Sequence, residues 1–252
     1  MSQRLLGYEI EDESVSECNL NIVSSINNAQ KASKWMACIN PHSYVVAKSD
    51  PLFSEALKHA DWLVPDGVGI VLASKFLRRP VTERITGFDV FHGIMRHLDK
   101  TNGRVFFLGS TEKTLGMISG QLVKDYPNVE LVGLYSPPFK SEFDKTDIDL
   151  MISKIVDANP DVLWVGLTAP KQEKWIYQNI DRLPVTFVGA VGAVFDFYTG
   201  QVKRSSPIFR KLGLEWLPRL IKQPRRLWRR MGISAPIFVW DVILERFSYA
   251  KR

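Results

Sequence analysis

The feature that most constrains this chain is an alternation in which short, β-rich apolar runs are separated by longer segments of helical period. The runs are WMACI (35–39), DWLVP (61–65), RVFFLG (104–109), VELVGLY (129–135), VLWVGL (162–167) and PVTFVGAVG (184–192). This pattern predicts parallel strands joined by crossover helices. Several runs are almost continuously apolar, as strands covered on both faces must be. The expected fold is therefore α/β, a Rossmann-like, mostly parallel sheet with flanking helices. Helix starts are marked between the runs. Asp50-Pro51 supplies a cap and an N1 proline before LFSEALKHA. Ser110-Thr111-Glu112 opens TLGMISGQLVKDY, and Thr146, with Asp149 three residues on, is expected to cap DIDLMISKIVDAN. Residues 172–183 read as a further amphipathic helix.

The alternation stops near residue 198, which predicts an α/β body over 1–200 and a basic helical appendage over 201–252. Residues 203–252 hold 13 lysines and arginines against three acids, Glu215, Asp241 and Glu245, whereas the first 202 residues hold 20 basic and 24 acidic side chains. An acidic body with a basic tail points to a polyanionic partner: phosphate, diphosphate, nucleic acid or an anionic membrane. Arg219, Arg226 and Arg230 are spaced seven and four apart, and Trp216, Leu217, Leu220, Leu227 and Trp228 interleave with the charges. Ile237, Trp240, Leu244 and Phe247 follow at helical spacing, with Asp241 and Glu245 on the other side, so a helix lying on a bilayer surface is expected. No apolar run reaches the roughly 18 residues of a span. The N-terminus has no apolar core of a signal peptide, and Cys18 and Cys38 form no CxxC pair. Both features favour a reducing, intracellular setting.

Several strand ends carry chemistry-bearing residues. Asp66-Gly67 follows one run. Its aspartate suits a general base beyond the sheet's carboxyl edge, or else a cap in an ordinary turn. Asn40, after Cys38, reads as a ligand contact or a turn residue before Pro41. Arg84, near Thr86-Gly87, can clamp a phosphate or solvate a surface. Gly109-Ser110-Thr111 forms a glycine turn into a helix N-terminus, suited to a nucleotide phosphate. Lys171 and Gln172 open a helix after another strand end, placed for a ligand or simply part of a charged helix face. The single DxD, Asp147-Ile148-Asp149, lies at a helix start where carboxylates are expected without any metal. No metal and no cofactor is expected.

Taken in order, CINPHSYVVAKSDP, VPDGVGIV, RITGFDVF, VFFLGSTEKT, GLTAPKQEKW, GAVFDFYTGQVKRSSP and GLEWLPRLIKQPRRL resemble the WecG/TagA/CpsF family, glycosyltransferase family 26. The resemblance implies an inverting, metal-independent hexosyltransferase of cell-surface polysaccharide synthesis. It would move a sugar from a UDP-sugar to a polyprenyl (undecaprenyl)-diphosphate-linked saccharide, as a peripheral protein at the cytoplasmic face of the bacterial inner membrane. It also implies catalytic roles for Asp66 (base), Asn40 and Arg84. Substrate contacts are implied for Cys38, Thr86, Gly109, Ser110, Lys171, Gln172, Asp196, Arg219, Arg226 and Arg230. Many members have threonine where this chain has Cys38, a much weaker hydrogen-bonding group. A nucleic-acid-binding protein is the rival reading of the basic tail, but no helix-turn-helix, RRM or zinc pattern supports it, and no nucleic-acid partner is expected. A nucleotide-sugar epimerase or dehydrogenase would need a glycine fingerprint that the chain lacks.

Overall fold

The computed structural model describes residues 2–28, 32–79, 81–202 and 230–249. All six expected strands form, as β3 (Lys34–Ile39), β4 (Trp62–Pro65), β5 (Arg104–Gly109), β6 (Glu130–Tyr135), β7 (Val162–Gly166) and β8 (Phe187–Ala190). They make one fully parallel sheet in the order β4-β3-β8-β7-β5-β6. Two short strands before it, β1 (Ser2–Leu5) and β2 (Tyr8–Glu11), pair as a separate antiparallel hairpin.

Period-two alternation sorts the strand side chains onto two faces. On one face Trp35, Ala37, Ile39, Leu63, Phe106, Leu108, Leu163, Val165 and Val188 join the core. Helices α2 (Pro41–Ser49), α3 (Pro51–Lys58), α4 (Val68–Phe76), α7 (Lys145–Ala158) and α8 (Lys171–Asn179) cover it. On the other face Met36, Trp62, Val64, Val105, Phe107, Trp164 and Phe187 pack against α1 (Val15–Asn27), α5 (Gly87–Thr101), α6 (Glu112–Asp125) and α9 (Val194–Tyr198). Burial on both sides is what the apolar runs encode.

Caps fix where the helices begin. Thr86 and Asp89 form a reciprocal capping box on α5, and Asp50 caps α3 ahead of Pro51. The cap of α7 differs from expectation. It is Asp144, boxed with Asp147, rather than Thr146. The earlier aspartate wins because Lys140 donates to both carboxylates, at 2.9 and 2.7 Å, and fixes the turn upstream.

The chain's last described segment, a π-helical turn at Arg230–Ser234 and α10 (Ala235–Tyr249), returns to the body. Phe238 and Val242 are buried there, with Phe238 edge-on to Tyr44 at 5.6 Å. Asp241 accepts from Tyr44 at 3.1 Å and from Lys48 at 2.5 Å, and Glu245 accepts from Arg79 at 3.1 Å. The acids on this helix therefore face the protein, not water. Arg219 and Arg226 lie outside the described residues, as does most of the basic segment.

Candidate active site

A parallel sheet delivers every strand end to one edge. Asn40, Asp66, Ser110, Leu167 and Val191 all leave their strands on that edge. β5 connects outward to β6 while its neighbour β7 connects inward to β8, so the sheet's topological switch point lies between β5 and β7. Open α/β sheets bind ligands in the crevice at such a point. The turn there is tight. Gly109 adopts φ +111°, and a Cβ on it would lie 2.7 Å from the Gly166 backbone. Ser110 follows at φ +57° and donates its N–H to the Gly166 carbonyl at 3.1 Å. Thr111 then caps α6. The glycine turn predicted as a phosphate seat is thus a strained strand-to-helix turn at the switch point.

At the other side of the cleft the backbone stitches three distant segments together. The Asp66 N–H donates to the Ile39 carbonyl at 2.8 Å, and Ile85 N–H donates to the Pro65 carbonyl at 3.2 Å. These two bonds set Asp66 beside Asn40 in the backbone and bring Ile85, the residue after Arg84, to the end of β4. A Cβ on Gly67 would stand 3.7 Å from that of Asn40. Gly67, at φ +122°, is the N-terminal cap of α4 and offers no side chain, so Asp66 is not the cap of that helix. Asn40 does cap α2. Its Oδ1 accepts from the N–H groups of His42 and Ser43, both at 3.0 Å, and its Nδ2 makes no hydrogen bond among the described residues. Thr86 is buried, with its hydroxyl engaged by Asp89 at 2.6 Å.

Cys38 lies between these groups. A Cβ on Gly87 would sit 3.5 Å from its sulfur. Desolvation, followed by the negative charges of Asp66 and Glu173, holds the thiol well above its ordinary range, so it stays protonated. Gln172 and Glu173 enter from the start of α8. Both are buried, and Gln172 Nε2 donates to Glu173 Oε1 at 2.8 Å. The side chain of Gln172 rests against Gly192, where a Cβ would meet its amide at 3.5 Å. Burial pushes the Glu173 carboxyl up to about 7.

Sequence reasoning missed Glu173. The readable signal was the spacing of Gln172, Ile176 and Asn179, which puts the start of α8 on its buried face.

Lys171 donates to the Lys140 carbonyl at 2.6 Å and lies 4.3 Å over the Phe143 ring, tied to the loop after β6. Asp196 lies on α9 beyond β8. The DxD carboxylates are occupied, Asp147 by Lys140 and the α7 cap, Asp149 by Arg182 at 2.7 Å. Arg230 begins the π-helical turn whose Ser234 Oγ lies 2.8 Å from His42 Nδ1, two residues from Asn40.

A parallel sheet covered on both faces, with a topological switch point and with Asp66 and Asn40 side by side at its carboxyl edge, has the architecture of an α/β group-transfer enzyme. The comparisons with known proteins narrow the class. The sequence model of the WecG/TagA/CpsF family of glycosyl transferases matches residues 3–252, and the chain belongs to that family. The protein is a glycosyltransferase. It is similar to an N-acetylglucosaminyldiphosphoundecaprenol N-acetyl-beta-D-mannosaminyltransferase of Bacillus spizizenii, 31% identical over 88% of this chain and 83% of the relative. The protein of the same name in Bacillus subtilis strain 168 is 32% identical over 86% and 81%. That of Staphylococcus aureus strain MW2 is 26% identical over 98% and 94%.

Proposed function

We propose that the cleft transfers a hexose-type sugar from a UDP-sugar to a polyprenyl-diphosphate-linked saccharide at the cytoplasmic face of the bacterial inner membrane. The observation that carries the reading is the backbone stitching that sets Asp66 beside Asn40 and draws the segment just after Arg84 to the same strand end. The names of the relatives, which specify an undecaprenol-diphosphate acceptor and a mannosaminyl group, support the same chemistry.

In this reading Asp66 accepts the proton of an acceptor hydroxyl as that oxygen bonds to the donor's anomeric carbon. The bond from that carbon to the diphosphate oxygen breaks, and UDP departs with the electron pair. Its charge is met by helix N-terminal N–H groups and by arginines rather than by a metal ion. Arg84 belongs to this set by position, and Arg219, Arg226 and Arg230 by sequence. Displacement in one step inverts the anomeric centre. The appendage over 201–252 completes the site. The hydrogen bond from His42 to Ser234 supports this, because it anchors the end of the basic segment beside Asn40.

The test is turnover of a UDP-sugar panel on a short polyprenyl-diphosphate-saccharide, with the product anomer assigned by NMR. N-acetylmannosamine heads the panel, followed by its uronic acid and by glucose, since Cys38 offers a sugar less hydrogen bonding than a hydroxyl would. Transfer with inversion is expected. A retained anomer, or no turnover of any UDP-sugar, overturns the reading.

A further inference from the structure

Gln172 and Glu173 pose a question that the transfer chemistry leaves open. They are 4% and 2% exposed, deeper than any other polar pair at the cleft edge. Among the described residues no cation pairs with Glu173, and the one side chain that reaches its carboxyl is the Gln172 amide. Among the described residues two acceptor atoms have no partner, Glu173 Oε2 and Gln172 Oε1. Leaving a buried acceptor open costs about 1–3 kcal/mol, so a protein that retains two of them side by side calls for an explanation in function.

Their position supplies one. The Gln172 amide lies against Gly192, at the end of β8, and Glu173 is near enough to Cys38 to raise its thiol together with Asp66. In the order β4-β3-β8-β7-β5, the switch-point turn is at one end and Asp66 at the other. With strands about 4.8 Å apart, these ends are separated by roughly 19 Å, and the amide lies near the middle. A donor whose nucleoside reaches toward β5 while its anomeric carbon is attacked beside β4 brings its diphosphate and sugar along this edge, past the amide.

We propose that Glu173 is a positioning residue for the transferred sugar. Ionised, its carboxylate can only accept, here from Gln172 Nε2, and so determines which end of the amide faces the cleft. An amide turned end for end keeps its shape and exchanges donor for acceptor, and only a partner of fixed polarity decides between the two. Held this way, Gln172 offers Oε1 to a hydroxyl of the donor sugar. The inference rests on the transferase reading of the cleft.

The experiment measures donor KM and kcat with the UDP-sugar that turns over fastest, and the Kd of UDP alone by calorimetry. Glu173→Leu is expected to raise donor KM about tenfold, the worth of one hydrogen bond, with kcat within threefold and the UDP Kd unchanged. Glu173→Gln, whose own amide can turn with its partner and so fixes neither end, is expected to raise donor KM severalfold. Gln172→Ala raises donor KM as Glu173→Leu does, and the double variant raises it no further. Should the leucine variant fail to fold, Gln172→Ala is compared with Gln172→Ala/Glu173→Gln, and equal donor KM values support the proposal. A native-like donor KM in Glu173→Leu, a UDP Kd that weakens in parallel, or additive effects in the double variant overturn it. A native protein that binds UDP but turns over no UDP-sugar defeats the transferase reading instead.

Discussion

Asp66 is held by its backbone, one residue past a four-residue buried strand and one before a helix that takes its cap from glycine. Asparagine keeps the shape of its side chain and removes the charge. Asp66→Asn is therefore expected to lower kcat by about 10²–10⁴, the usual worth of a general base, with UDP binding retained. Normal turnover by this variant would assign the base elsewhere. Glu173 makes a different prediction. Its folded value of about 7 lies above the unfolded 4.5, so the native state holds the proton longer. Stability from this group is fully present below pH 4.5 and is lost as pH rises to 7, by about 3 kcal/mol in all. Glu11, raised the same way, adds to the slope. Urea unfolding should thus show a shallower decline between pH 4.5 and 7 in Glu173→Gln than in the native protein, and equal slopes would mean that Glu173 is not buried in solution. Asp66 and Asn40 were legible in the sequence because a strand end announces its own location. Glu173 was not, because a carboxylate in a charged helical turn looks the same whether it meets water or a core.

Among the elements, the six sheet strands were readable as apolar runs, since burial on both faces leaves no polar positions to confuse the pattern. The β1–β2 hairpin was not. Its turn places Leu6 at φ +51° before Gly7, without the Asn-Gly or Asp-Gly pair that marks most two-residue hairpins. The docking of α10 was half legible. Its amphipathic spacing was evident, but spacing alone does not say that the body, rather than water, takes the face carrying Asp241 and Glu245. That face is secured by one large side chain, Phe238, flanked by two ion pairs. Removing the ring from such a site costs about 3–5 kcal/mol. Phe238→Ala should release α10 while leaving the sheet intact, so that amide exchange rises at least tenfold in 235–249 and stays native in β3, β5, β7 and β8. Uniformly faster exchange would instead make α10 part of the cooperative core.

For the whole molecule, the open question is how a protein with no spanning helix among its described residues would reach the lipid-linked acceptor proposed for it. With the acids of α10 turned inward, the π-helical turn and α10 together leave Ile233, Ile237, Trp240, Leu244 and Phe247 exposed at intervals of four and three, with Trp240 and Phe247 the most open at 61% and 63%. Leu72 and Phe76 of α4, a helix in contact with α10, widen the patch. An apolar stripe of this size, next to a segment carrying most of the tail's arginines and lysines, fits an anionic bilayer surface better than water. Each large side chain entering the interface is worth about 1.5 kcal/mol, so Trp240→Glu/Phe247→Glu should weaken co-sedimentation with phosphatidylglycerol vesicles by roughly a hundredfold. High salt should weaken the native protein through its basic segment and leave the stripe's contribution in place. Transfer to a lipid-linked acceptor should fall with vesicle binding in the double variant, while turnover of a short water-soluble acceptor stays native. If the double variant binds vesicles normally but loses self-association, the stripe serves a second copy of the chain and the membrane is reached through the arginines alone.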